Sequence, residues 1–239
     1  MAERRTVPRP DEPGGLWTLD RVLRGGGWNV LGQAAILLAS LVATPFVLRL
    51  LGPELYGLFA LVNIVVAYLA FADLGMSPAS SRFGAAAHAR SDDASEVAVV
   101  WTSLVLAAVP SLLVAAAVVV WGRLLVVDGL GLHGHVADQG VLALRIASVG
   151  FVARAAAEVL NTPGVARMRW DLNVGITSGG ILLQTIMVPL VLWAGGGLAG
   201  AVGVISAVSI ATALAHLLVG KRLQPSRWAR AVEIGRAHV

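Results

Sequence analysis

The chain has 239 residues, of which 57% are hydrophobic and 13% charged, with a mean hydropathy of +0.78. A soluble domain carries about 25% charged residues, so this chain cannot cover a water-facing surface of ordinary size, and its apolar side chains face lipid. It has no cysteine, which excludes disulfide frameworks, cysteine-bound zinc and thiol catalysis, and its net charge of +4 comes from arginines set between apolar blocks, not from the continuous stripe a nucleic-acid binder needs.

Residues 1–24 hold five scattered arginines and read as a cytoplasmic segment, not a cleavable signal, because the apolar run that follows is too long for one. A spanning helix needs about 20 apolar residues. Runs of that kind place spans near 28–51, 55–74 and 97–121. The fourth, near 141–160, is the weakest, since it contains Arg145, Arg154 and Glu158. Residues 172–220 carry no Asp, Glu, Lys or Arg and are too long for one span. Gly195, Gly196 and Gly197 divide them into spans near 172–193 and 198–219. The expected fold is an all-α membrane protein of about six transmembrane helices over 25–220, with a cytoplasmic segment at 221–233.

With the N-terminus in the cytoplasm, thirteen Lys and Arg residues fall on that side and only Arg49 and Arg123 outside. This is the positive-inside pattern. Trp28, Trp101, Trp121, Trp170 and Trp193 all fall near span ends, where indoles prefer to sit. Pro45, Pro110 and Pro189 lie inside spans and bend them. Residues 234–239 match one reading frame of a common short-read sequencing adapter. On that reading they are an artefact and the gene continues past residue 233.

Polar residues inside the spans form stripes at helical spacing. Asn29, Gln33, Ser40 and Thr44 share an arc of about 60° on the first span. Asn173, Thr177, Gly180 and Gln184 share one on the fifth, and Ser206, Ser209, Thr212 and His216 one on the sixth. Stripes like these bond neighbouring helices or line a wet cavity. Arg154 lies near the middle of the fourth span, where a lone charge costs about 3 kcal/mol. Glu158, one turn later, can pair with it. Such a pair locks helices, or the guanidinium faces an anionic head group that its fork fits. The cavity-lining candidates are Arg154, Glu158, Asn29, Gln33, Thr44, Asn173, Gln184 and His216. No phosphate loop, metal-spaced histidines or nucleophile elbow is present, so no enzyme activity, metal or cofactor is expected.

The stretches NVLG at 29–32, PFVLRLLGPELYGLF at 45–59 and DLG at 73–75 resemble the N-terminal part of the polysaccharide flippases. These belong to the multidrug/oligosaccharidyl-lipid/polysaccharide exporter superfamily. RMRWD at 167–171 is similar to a basic-aromatic turn common in that family. The resemblance implies two helical lobes around a central cavity in a bacterial plasma membrane. This chain would be the first lobe, and its partners would be the bilayer, a polyprenyl-diphosphate-linked oligosaccharide and a C-terminal lobe of the same protein. Alternating access would carry that lipid between leaflets. The competing readings are a multidrug/cation antiporter of the same superfamily, which needs an intramembrane carboxylate, and a membrane scaffold that transports nothing.

Overall fold

The computed structural model describes residues 13–69 and 76–223. The adapter-like residues 234–239, most of the segment 221–233 and the DLG motif fall outside them. The described residues are almost wholly helical: α1 (Pro13–Leu69), α2 (Met76–Ala89), α3 (Asp93–Leu124), one π-helical turn (Leu125–Gly129), α4 (Gly134–Leu160), a short α5 (Thr162–Ala166), α6 (Trp170–Trp193) and α7 (Gly197–Leu223).

Among the described residues five helices are long and apolar enough to cross a membrane: Val30–Ala67, Ala94–Gly129, Gly134–Ala166, Asp171–Trp193 and Gly197–Leu223. The difference from the expected six lies at Gly52. There the backbone of α1 leaves helical values, with φ +74 and ψ +167, a conformation that essentially only glycine adopts. α1 is thus two helical limbs joined end to end, in the places where two separate spans are expected. The interruption falls at this glycine, not at Pro45. The first limb packs on α6, since a Cβ on Gly32 would lie 2.9 Å from Ser178 Oγ and 3.1 Å from Val174 Cγ1. The second limb packs on α4, with Leu58 against Gly140.

The expected loop between the second and third spans contains α2, a helix too short and polar to span. Asp92 caps α3 by accepting Ser95 N–H at 3.1 Å and Ser95 Oγ at 2.6 Å, which satisfies a donor the first helical turn leaves open. These bonds, the hydroxyl's first, hold the Asp92 carboxyl below the usual carboxylate range.

The weakest expected span is the centre of the bundle. Half of the most apolar stretch of α4 is buried inside the protein, against 6–17% for the other four spans. Its neighbours are other helices, so it needs less hydrophobicity than a lipid-facing span. Its buried residues include many small ones, Ala137, Gly140, Ala143, Ala147, Gly150 and Ala157, beside Leu144 and Phe151, and the small ones let helix axes approach closely. A Cβ on Gly150 would sit 2.6 Å from Ser206 Oγ and 2.9 Å from Ser206 Cα on α7. Ser206 Oγ donates to Ile146 O across the same contact at 2.9 Å. Gly150→Val is therefore expected to push α4 from α7 and cost about 1–3 kcal/mol, read as an earlier thermal unfolding transition of the purified protein. Gly203→Ala, where a Cβ meets open space, serves as the neutral control.

The apolar core joins Val47, Leu58, Val62, Val126, Leu144, Val188, Leu198 and Val202. Leu31, Leu38, Leu41 and Phe46 on the first limb, and Leu113 and Val120 on α3, stay exposed, as lipid-facing residues do. Trp121 and Trp193, near the ends of α3 and α6, are also exposed.

Candidate functional site

Three helices bring polar faces together toward the bundle end that carries α2 and α5. Arg154 and Glu158 on α4 and Asn161 at its C-terminal cap follow i, i+4, i+7 spacing. Thr177, Gly180 and Gln184 on α6, and Ser209, Thr212 and His216 on α7, follow i, i+3, i+7 spacing. Residues so spaced share a helix face, and all nine line one cavity of about 50 Å³. α6 and α7 approach closely at Gly180, where a Cβ would lie 2.8 Å from Thr212 Oγ1. Thr177 Oγ1 and His216 Nε2 lie 3.3 Å apart, and His216 is buried. Asn161 Oδ1 is buried without a hydrogen-bond partner.

A second cavity, about 240 Å³, adjoins the first. It shares Arg154, Gln184 and Ser209, and adds Asn63 from the second limb of α1. A third, about 220 Å³, lies toward the Gly52 end and is lined by Ser40, Thr44, Tyr56, Asn63, Gln184 and Thr185. Gln184 is on the wall of all three. The polar faces of α1, α4, α6 and α7 thus form one file of adjoining cavities along the bundle.

The structure brings together Arg154, Glu158, Gln184, His216 and Thr44 from the sequence-predicted set. Arg154 is not buried within the lobe. Its side chain is exposed while lining two of the cavities: it shares the helix face of Ala147, Gly150 and Ala157, but at its depth that face opens onto the cavities. Gln33 is exposed and lines none of these three cavities. Asn173 is buried, and its Oδ1 lies against Gly164, where a Cβ would come within 3.6 Å. It packs at the α5 connection and not on the cavity walls. The side chain of Asn29 lies outside the described residues.

Asn63, Tyr56 and Thr185 line the cavities and went unread in the sequence. Asn63 carried the same signal as the stripes already noted, a polar side chain in an apolar run. A second omission is a buried ion pair. Glu96, near the start of α3, is fully buried, and both its oxygens bond the Arg167 guanidinium. The Nη2–Oε2 distance is 3.2 Å, and Nη1 also reaches Pro163 O at 3.3 Å. His88 Nδ1 stands 3.6 Å from Glu96 Oε2. Nearby, the Ser80 and Thr162 hydroxyls bond at 2.8 Å. These contacts tie α2, α3 and the α5 connection together. Glu96 follows Asp92 and Asp93 closely, so in the sequence it looks like one more loop charge.

Among the described residues no group of three or more His, Asp or Glu is placed to hold a metal ion. Along the file of cavities the described residues place the Arg154 guanidinium and the Glu158 carboxylate among amides, hydroxyls and an imidazole, and where the guanidinium faces the cavity it can fork onto an anion joined to a polar group. A family model described as polysaccharide biosynthesis protein matches residues 22–230. No curated protein and no solved structure matches the chain.

Proposed function

Because the chain belongs to the polysaccharide biosynthesis protein family, as a multi-pass membrane protein with five helices able to span, we propose that it is the N-terminal lobe of a flippase. The flippase moves a polyprenyl-diphosphate-linked oligosaccharide across the bacterial plasma membrane. The observation that carries this reading is the position of Arg154 at the junction of two polar cavities among spanning helices.

The diphosphate is the part of such a lipid that apolar acyl chains oppose most strongly. A guanidinium offers it paired N–H donors in a fixed fork and a charge that stays on at any physiological pH. The polyprenyl chain needs no protein cavity, since it stays in the bilayer beside exposed leucines such as those of the first limb. In this reading the N-terminus is cytoplasmic, as the distribution of arginines favours. A second lobe completes the vestibule, and rocking of the two lobes opens it to each side in turn. The protein makes and breaks no covalent bond. A cation antiporter is the weaker alternative, because Arg154 lines the same cavity as Glu158 and opposes entry of a cation.

The test is translocation by the full-length protein in vesicles loaded with a polyprenyl-diphosphate oligosaccharide. The sugar is labelled and its outward appearance is followed by accessibility to an impermeant oxidant. Movement well above that of protein-free vesicles is expected. Movement equal to theirs overturns the flippase reading and leaves the scaffold.

A further inference from the structure

The third cavity differs in chemistry from the two that Arg154 lines. Its polar residues are Ser40, Thr44, Tyr56, Asn63, Gln184 and Thr185, and among the described residues no Asp, Glu, Lys, Arg or His lines it. Several of these side chains have already committed a donor. Thr44 Oγ1 donates to Ser40 O at 2.7 Å, Thr185 Oγ1 to Ile181 O at 2.7 Å, and Asn63 Nδ2 to Phe59 O at 2.8 Å. A threonine hydroxyl has a single hydrogen, so both threonines can turn only lone pairs to the cavity. The two threonines offer lone pairs, while Ser40, Tyr56, Asn63 and Gln184 bring hydroxyl and amide groups that both donate and accept. Such a wall matches a ligand of hydroxyl or amide groups and supplies no counter-charge to an anionic one. An ionised group entering such a site without a counter-charge loses hydration that nothing there replaces.

Tyr56 and Phe59 add aromatic surface to the same wall, and such surface suits the C–H face of a sugar ring. The third cavity adjoins the larger one that Arg154 lines, sharing Asn63, Gln184 and Ile205 with it. A diphosphate held at Arg154 leaves its attached sugar one cavity away.

We infer that the third cavity seats the sugar next to the diphosphate, and that this sugar is uncharged, bearing hydroxyls or an acetamido group but no carboxylate. The inference rests on the flippase reading and narrows its substrate. Arg154 supplies attraction that any polyprenyl diphosphate shares, and the Tyr56 wall supplies the preference for what is attached.

The experiment compares three probes on the full-length protein in nanodiscs: polyprenyl diphosphate bare, carrying one N-acetylhexosamine, and carrying one uronic acid. The neutral glycolipid is expected to bind about tenfold tighter than the bare lipid, the worth of one or two net hydrogen bonds, and the uronic acid no tighter than the bare lipid. Tyr56→Leu keeps apolar bulk against the core and is expected to bring the neutral-to-bare affinity ratio to within about twofold of one. Tyr56→Phe, which keeps the ring, retains most of it. Should Tyr56→Leu unfold, Thr44→Val removes one acceptor at similar shape and is expected to lower the same ratio. A ratio unchanged by Tyr56→Leu, or by Thr44→Val in its place, overturns the inference, and so does a uronic acid bound as tightly as the neutral sugar. Binding of the bare lipid with no gain from any sugar removes the sugar subsite and leaves the flippase reading standing. Failure of all three probes to bind removes both.

Discussion

Glu96→Ala is expected to destabilise the protein by about 3–5 kcal/mol, among the largest effects any single side chain here can produce. Glu96 is fully buried and Arg167 only 16% exposed, so removing the carboxylate strands a guanidinium in a place water barely reaches. The loss is that of an uncompensated buried charge and not the net worth of the pair. A paired replacement separates the two. Glu96→Leu combined with Arg167→Met is expected to recover most of the stability lost in Glu96→Ala, because apolar residues of similar volume often replace a buried pair at no cost. The measurement is thermal or denaturant unfolding of the purified protein in detergent. A single mutant as benign as Asp138→Ala, whose side chain is 68% exposed, would show that the pair bears no such weight.

Arg154→Gln is expected to separate function from stability in the opposite way. The side chain is exposed on the lobe, so its loss should move the unfolding transition by no more than about 0.5 kcal/mol, the usual range for a surface change. Translocation of the lipid-linked oligosaccharide should fall about ten- to a hundredfold, since a hydrogen bond to a charged group is worth about 1.5–3 kcal/mol. Arg154→Lys keeps the charge and loses the fork, so it should restore part of the rate and not all of it. The assay is the vesicle experiment described above, with unfolding curves run alongside. Wild-type transport by Arg154→Gln would remove the guanidinium from the mechanism.

The spans were legible because lipid imposes one simple rule, an apolar run of sufficient length, and α3, α6 and α7 obey it. The polar faces of α6 and α7 were legible for the same reason, since a serine or glutamine in such a run stands out. Three things were not. The sequence reading takes Gly52 for a loop between spans, because it cannot show that the helices on either side meet directly at one glycine. Asn173 and Gln184 share a stripe, yet one packs on the α5 connection and the other lines the cavities. Helical periodicity gives a direction around an axis and does not say which neighbour stands there at each depth. The Glu96–Arg167 pair joins residues 71 positions apart in sequence, and nothing local in either segment marks the other.

The burial of α4 also bears on how the protein reaches its membrane. Synthesis runs from the N-terminus, so α4 emerges after α3 and before α6 and α7. It carries Arg145, Arg154 and Glu158, and a charged residue at the centre of a helix opposes insertion by about 2.5–3.5 kcal/mol. Yet the surface that makes it comfortable, the close seam at Gly150 and Ser206, belongs to a helix not yet made. The segment around which the others assemble is therefore the one the bilayer accepts least readily alone. In that order of synthesis its partner until α6 and α7 arrive to enclose it is α3 or the insertion machinery.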